Sequence, residues 1–173
     1  TAYTDRDGYY SMQKAFSTDV RYRLVFKNEK GFGIGLNLIL LPASVSTLGK
    51  AGPEGVTMTI TEDSDEKLFK RCVVNNAAYD YYSRCVPGDM GIAAPPSDLR
   101  IWLFYNLEAS SAVMLHHGTI LESDLIGKYL GIYTDLIRVF LPDITLGVKG
   151  KDSHISGIAL GDHSVRDVLN CTD

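Results

Sequence analysis

The sequence predicts a mixed α+β fold, with mainly antiparallel strands in a sandwich or barrel-like arrangement and one long helix near residues 124–140. Apolar and polar residues alternate over 20–27 and again over 56–61, which is the period of a half-buried strand. Between 125 and 140 the apolar residues recur at helical spacing instead. If this last segment forms two strands, the fold is an all-β sandwich, which is the alternative.

The first two candidate strands differ in their expected burial. In 20–27 every second side chain is apolar, so one face should pack against the core and the other, with Arg21 and Arg23, should be wet. Residues 34–41 form a nearly continuous apolar run that Pro42 ends, which is typical of a strand buried on both faces. The start of the chain therefore predicts one amphipathic and one buried strand.

The remaining strands are predicted from the same patterns. Residues 43–55 contain three glycines and one proline and predict a loop, whereas 56–60 alternates again. Apolar runs rich in β-branched and aromatic residues predict further strands at 99–105, 112–121, 144–148 and 155–160.

The segment 65–82 is ambiguous between a helix and a hairpin, and two cysteines bear on the choice. A disulfide needs Cα atoms within roughly 7 Å, whereas continuous helix would separate Cys72 from Cys85 by about 20 Å. Helix and bridge therefore exclude each other. We predict the Cys72–Cys85 bridge, with the chain turning back near 77–80; the alternative is two unpaired thiols in a helix and its flank.

Length and charge bound the class of protein. The 173 residues, 45% of them hydrophobic and 22% charged, predict a single β-rich domain over 1–173 with its own core. The net charge of −4 gives no overall positive field to attract nucleic acid or an anionic membrane. No apolar run reaches the roughly 18 to 20 residues of a membrane helix. We therefore predict no nucleic-acid partner and no membrane insertion.

Cysteine usage and one glycosylation motif favour the secretory pathway. The chain begins at Thr1, which a removed signal peptide would explain. The third cysteine, Cys171, would be free or would pair with a partner or a larger chain. Asn170 begins the acceptor pattern Asn-Cys-Thr for N-glycosylation. We predict an extracellular glycoprotein; a cytoplasmic protein with three reduced cysteines is the alternative.

Established catalytic and nucleotide-binding motifs do not occur in the sequence. The glycines of 31–35 lead into a strand, not into a helix N-terminus that would bind a pyrophosphate. There is no phosphate-binding loop, nucleophile elbow, HExxH helix or paired CxxC. No cofactor and no metal ion is predicted.

The histidines leave open an alternative, enzymatic function. His116 and His117 would lie on a strand and point to opposite faces, so that one metal ion could not easily use both. We expect independent structural or surface histidines. The alternatives are a zinc site formed by one of them with His154, His163 or Asp162, and a small hydrolase in which His116 or His117 works with a carboxylate such as Asp162.

Two surfaces favour recognition of a partner. Arg21 and Arg23 would project from the first strand about 7 Å apart, a spacing that suits a sulfated glycan or an acidic protein. The insert between the two cysteines is rich in tyrosine, amide and arginine side chains, which is the chemistry of a binding loop. Its candidate contact residues are Tyr79, Tyr81, Tyr82 and Arg84.

The function that these observations predict is a secreted or ectodomain binding module, without catalysis, that recognises a protein or a glycan. The hydrolase is the first alternative. A carrier of a small apolar ligand is the second, since the Leu- and Ile-rich segments could line a cavity.

Overall fold

The computed structural model describes residues 1–5, 7–35, 43–85, 91–112, 114–117, 128–129, 131, 133–134 and 140–149, and the strand backbones at 154–155 and 163–164. The elements follow in the order β1 (Val20–Val25), β2 (Gly33–Ile34), β3 (Val45–Ala51), α1 (Glu66–Cys85), β4 (Arg100–Phe104), β5 (Ile144–Gly147), β6 (His154–Ile155) and β7 (His163–Ser164).

The strands form three small sheets of different types. β1 pairs with β3 in an antiparallel ribbon, β2, β4 and β5 form a parallel sheet with β4 in the centre, and β6 pairs with β7 antiparallel. The mixed α+β class is confirmed. The mainly antiparallel sandwich or barrel is not, because the central sheet is parallel. The all-β alternative is wrong, because α1 is a helix of 20 residues.

The hydrophobic core lies on the parallel sheet. Phe32 and Ile34 beside and within β2, Leu103 in β4 and Val148 after β5 are almost completely buried. Leu68 brings α1 onto this cluster. Full burial of such side chains contributes about 1.5 to 3 kcal/mol each, so this sheet is the rigid base on which the neighbouring loops rest.

The amphipathic strand at 20–27 is confirmed as β1, with Tyr22 buried and Arg21 exposed. The predicted loop at 43–55 is wrong, because it contains β3. The predicted strand at 56–60 is also wrong: the backbone N–H of Val56 donates to the Tyr10 hydroxyl at 2.8 Å, and no strand ladder forms there. A bulge in β3 interrupts the alternation of apolar and polar residues, so the strand was not predicted. Residues 56–60 do alternate, but they do not pair with another strand.

The contested segment at 65–82 is helical. The Asp65 carboxylate accepts the backbone N–H of Leu68 at 2.9 Å and so caps α1 at its first turn. Residues 66–85 contain no glycine or proline to interrupt a helix. The buried Lys70 ammonium donates to the backbone carbonyl of Val148 at 2.7 Å and fixes α1 to the end of β5.

The predicted Cys72–Cys85 bridge is wrong. Both cysteines lie in α1 as free thiols, and the turn predicted near 77–80 is continuous helix. At 1.5 Å per residue the helix holds their Cα atoms about 20 Å apart, beyond the reach of any disulfide.

Several predictions fall on other parts of the chain. Most of the helix at 124–140 and most of the strand at 34–41 lie outside the described residues, as do Asp162, Asn170 and Cys171; of the predicted helix, residues 128–129, 133–134 and 140 are described and are helical. Within the described residues, none of the helices combines the length and the apolar character needed to cross a membrane.

Candidate functional site

Two acidic residues meet at the edge where the parallel strands begin. Asp98 precedes β4 by two residues, and Asp143 comes directly before β5. Because Ile101 pairs with Ile144 in parallel register, both strands begin at the same edge of the sheet. The two carboxylates are therefore brought to one end of the β4–β5 pair.

A third segment runs back along β5 to this edge. The backbone groups of Ser111 and Thr145 exchange two hydrogen bonds of 2.9 and 2.8 Å, and the N–H of Met114 donates to the carbonyl of Asp143 at 2.9 Å. Residues 115–117 then form a turn. The prediction that His116 and His117 point to opposite faces of a strand is wrong, because this turn brings their rings to a centroid distance of 4.5 Å.

The backbone of Met114 is strained. Its φ of 52° lies in the left-handed region, which costs a residue with a side chain about 1 to 3 kcal/mol. The strain lies two residues before His116, where the extended segment gives way to the histidine turn. Strained residues of this kind concentrate at functional sites, so the geometry of the turn points to a role beyond packing.

Asp143 forms the buried end of the site. Its side chain is 0% exposed. One carboxylate oxygen accepts the backbone N–H of His117 at 2.9 Å; the other accepts the backbone N–H of Arg100 at 3.1 Å and contacts Nδ1 of His117 at 2.9 Å. A buried carboxylate is costly unless such partners satisfy it, and these partners tie β4, β5 and the histidine turn together.

Asp98 forms the exposed end. Its side chain is 61% exposed, and its two oxygens lie 3.2 Å from Nε2 of His116 and 2.7 Å from Nε2 of His117. Partial desolvation raises the pKa of the Asp98 carboxyl, but the hydrogen bonds and charges of the two histidines outweigh it and leave the pKa below its ordinary value. The carboxylate form of Asp98 is thus the one that this site favours.

The ring of His117 lies between two carboxylates, with Nδ1 against Asp143 and Nε2 against Asp98. A histidine that acts as a general base needs a free Nε2 directed at a nucleophile, and here that nitrogen faces a second acid. The arrangement differs therefore from a nucleophile–histidine–acid triad. It fits a metal ligand whose other ring nitrogen is oriented by a carboxylate.

Asp98, His116 and His117 together have the composition of a metal site. Each offers one ligand atom, and these three atoms lie within 4.8 Å of one another. Asp98 and Asp143 bring two carboxyl groups to this four-residue group, and a divalent cation suits such an acidic site. We refer to Asp98, His116, His117 and Asp143 as the His–Asp cluster.

The predicted contact residues of the tyrosine-rich insert lie on α1 and not on a loop. Tyr79 donates its hydroxyl to Glu29 at 2.7 Å, and the Tyr82 ring packs edge-on against Phe32. The other two candidates are also on the helix: Arg84 pairs with Asp80, and Tyr81 is 39% exposed. The structure does not gather these side chains into one loop: Tyr79 and Tyr82 contact the segment ahead of β2, and Arg84 pairs within the helix.

The remaining candidates are dispersed. Arg21 and Arg23 lie exposed on β1, and the backbones of His154 and His163 belong to the β6–β7 pair. Asp98 and Asp143 were not predicted as site residues. The feature of the sequence that could have identified them is their position, because each acid comes directly before a predicted strand.

Comparison of the chain with protein-family models, with curated proteins and with solved structures gives no match.

Proposed function

We propose that the protein binds a divalent transition-metal ion, with zinc as the closest chemical fit, through Asp98, His116 and His117, and that this centre is hydrolytic. One observation carries the proposal: three ligand atoms converge within 4.8 Å while the fully buried Asp143 holds the second ring nitrogen of His117.

The ligand set suits zinc in kind and in spacing. Imidazole nitrogen and carboxylate oxygen bind zinc at about 2.0 to 2.2 Å, which separates tetrahedral ligand atoms by about 3.3 Å. The two histidine nitrogens lie 3.2 and 2.7 Å from the oxygens of Asp98, so rotations of the side chains are sufficient to admit an ion. The contact of His117 with Asp143 is the carboxylate–histidine pair that commonly supports a zinc ligand.

The described residues supply three protein ligands to this site, and that number supports catalysis over a purely structural role. Structural zinc sites are usually closed by four protein ligands, whereas catalytic sites use three and keep one position open. Bound in such a site, the ion supplies Lewis-acid chemistry that activates water near neutral pH. The 61% exposure of Asp98 leaves this end of the cluster accessible to substrate.

The test starts from protein stripped with EDTA and titrated calorimetrically with zinc. We expect one ion per chain with a Kd below about 1 μM. His116→Ala and His117→Ala should each weaken binding strongly, whereas the control Asp80→Asn, which removes an exposed carboxylate on α1, should not. Equal binding by the native chain and both histidine variants would exclude the site.

Cobalt substitution tests the open position separately. Co²⁺ bound by these ligands should give visible absorption bands that change when azide is added, because azide enters an exchangeable position. Bands that azide leaves unchanged would indicate a closed, structural site and would remove the hydrolytic part of the proposal.

A binding module remains the second candidate function, favoured by the exposed cations on β1. Its extracellular location stays a prediction, and the loss of the Cys72–Cys85 bridge removes one of its supports. The apolar-ligand carrier also stays a prediction. A surface cavity of about 280 Å³ beside β3 is lined by Leu48 and Met58 but also by several hydroxyl groups and Asp65.

A further inference from the structure

The antiparallel β1–β3 ribbon has an outward face that the His–Asp cluster does not use. Arg21 and Arg23 are exposed on β1, and Lys50 is exposed on β3 directly opposite Arg21. Farther along, Val25 faces Val45, and these side chains are 48% and 37% exposed. We call these five residues the ribbon face.

Lys50 belongs to the ribbon face because of a β-bulge. Tyr22 pairs with Gly49 and Arg23 pairs with Thr47, which leaves Leu48 without a partner. In a regular strand, side chains point alternately outward and inward, so with Thr47 exposed Lys50 would point inward. The unpaired Leu48 shifts this alternation by one residue, and Lys50 therefore points outward. Gly49 has a φ of 118°, a conformation that favours glycine. The bulge thus directs a third cation to the side of Arg21 and Arg23.

This arrangement costs stability in the free protein. The Cβ atoms of directly opposed residues are about 4.5 to 5.5 Å apart, and like charges at that distance repel. Within the described parts of the chain, no carboxylate forms an ion pair with Arg21, Arg23 or Lys50. The whole chain carries a net charge of −4, so the ribbon face is a local concentration of positive charge. An anion bound there would relieve the repulsion.

The spacing and the apolar end of the ribbon face indicate what kind of anion fits. Arg21 and Arg23 project about 7 Å apart, which is also the distance between same-side side chains of an extended peptide. Arginine pairs with carboxylates through two parallel hydrogen bonds. The exposed valines continue the same row, and a highly charged glycan would leave them uncovered. A peptide can carry carboxylates for the cations of the ribbon face and an apolar side chain for its two valines.

We propose that the ribbon face binds an extended acidic segment of a partner protein. Carboxylates at alternating positions of that segment pair with Arg21 and Lys50 and with Arg23, and an apolar side chain two positions farther on covers Val25 and Val45. This inference is independent of the metal site, because no residue is shared between the two.

The test uses a fluorescein-labelled peptide, Glu-Thr-Glu-Thr-Val, and its neutral analogue Gln-Thr-Gln-Thr-Val, with binding followed by fluorescence anisotropy. We expect saturable binding of the acidic peptide that weakens as salt is added, because the charges are exposed. The double variant Arg21→Gln/Lys50→Gln should lower the affinity about tenfold or more, and Val25→Thr about two- to fivefold. The control Lys14→Gln removes an exposed cation outside the ribbon and should leave affinity unchanged.

Thermal unfolding of the same variants separates binding from folding. The double variant should unfold at the same temperature as the native chain or higher, because it removes a like-charge pair. A Kd above about 1 mM for the acidic peptide, equal affinity for the neutral peptide, or unchanged affinity in the double variant would overturn the proposal. Tighter binding of a heparin oligosaccharide than of the peptide would overturn the choice of a protein partner.

Discussion

Asp143→Asn perturbs the buried end of the His–Asp cluster with almost no change in side-chain volume. An asparagine keeps one carbonyl oxygen and replaces the other oxygen with an amide group that only donates. At one position this amide faces the backbone N–H of Arg100; at the other it faces the backbone N–H of His117. Either orientation therefore leaves at least one partly buried backbone donor unsatisfied.

The expected magnitude follows from these contacts. An unsatisfied buried donor costs about 1 to 3 kcal/mol, and a hydrogen bond to a charged acceptor contributes about 1.5 to 3 kcal/mol. We expect Asp143→Asn to lower the free energy of unfolding by about 2 to 4 kcal/mol, measured by urea denaturation monitored through Trp102 fluorescence. In the zinc titration the same variant should bind about 10- to 100-fold more weakly, because His117 loses its orienting carboxylate.

Asp98→Asn is the matched control for stability. It makes the same chemical change on a side chain that is 61% exposed, where water screens the interactions, so it should cost less than about 1 kcal/mol. Equal destabilisation by the two substitutions would refute the reasoning. So would a loss below about 1 kcal/mol for Asp143→Asn, because a fully buried carboxylate that contacts two backbone N–H groups and a histidine ring cannot be so dispensable.

Four other predictions concern α1. Lys70→Met leaves the buried carbonyl of Val148 without its donor and should lower the free energy of unfolding by about 1 to 3 kcal/mol; an unchanged urea midpoint would contradict this contact. Asp65→Ala removes the helix cap and should cost about 0.5 to 2 kcal/mol in the same assay, with Asp65→Asn retaining most of the stability. Cys72 and Cys85 should both be alkylated by iodoacetamide in denatured, unreduced protein, and a cross-linked peptide in the mass spectrum would contradict the helix. Burial raises the pKa of the Cys72 thiol above its ordinary value of 9.0, so the unfolded chain ionises first and stability should fall as the pH rises past 9.0, less steeply in Cys72→Ala.

The sequence predicted those elements whose local pattern and final environment agree. β1 alternates because one face of the ribbon packs inward, and β4 and β5 are short apolar runs because the parallel sheet is covered. β3 was missed because its bulge breaks the period of two, and the glycine at position 49 reads as a loop signal. Local periodicity thus fails where a strand contains an irregularity.

The His–Asp cluster could not be predicted for a different reason. Its two carboxylates meet because β4 and β5 pair in parallel register across about forty residues of sequence, and no local pattern encodes that pairing. Its two histidines share one side because residues 115–117 form a turn, and the turn follows Met114 in a left-handed conformation for which methionine has no preference. The two histidines could be singled out in the sequence. The two carboxylates beside them could not, because their positions depend on the pairing of distant strands.

The parallel pairing of β2 with β4 also determines the polarity of the edge at which the cluster lies. The chain between these strands must return from the edge where β2 ends to the edge where β4 begins, and α1 is the long element of that return. Lys70 in the first half of α1 contacts Val148 after the end of β5, whereas Tyr82 near the carboxyl end packs against Phe32 just ahead of β2, so the carboxyl end, which carries partial negative charge, lies on the side where the strands start. The carboxyl end of α1 thus lies on the same side of the sheet as the His–Asp cluster, and Arg84 in its last turn offsets the negative end of the helix dipole there.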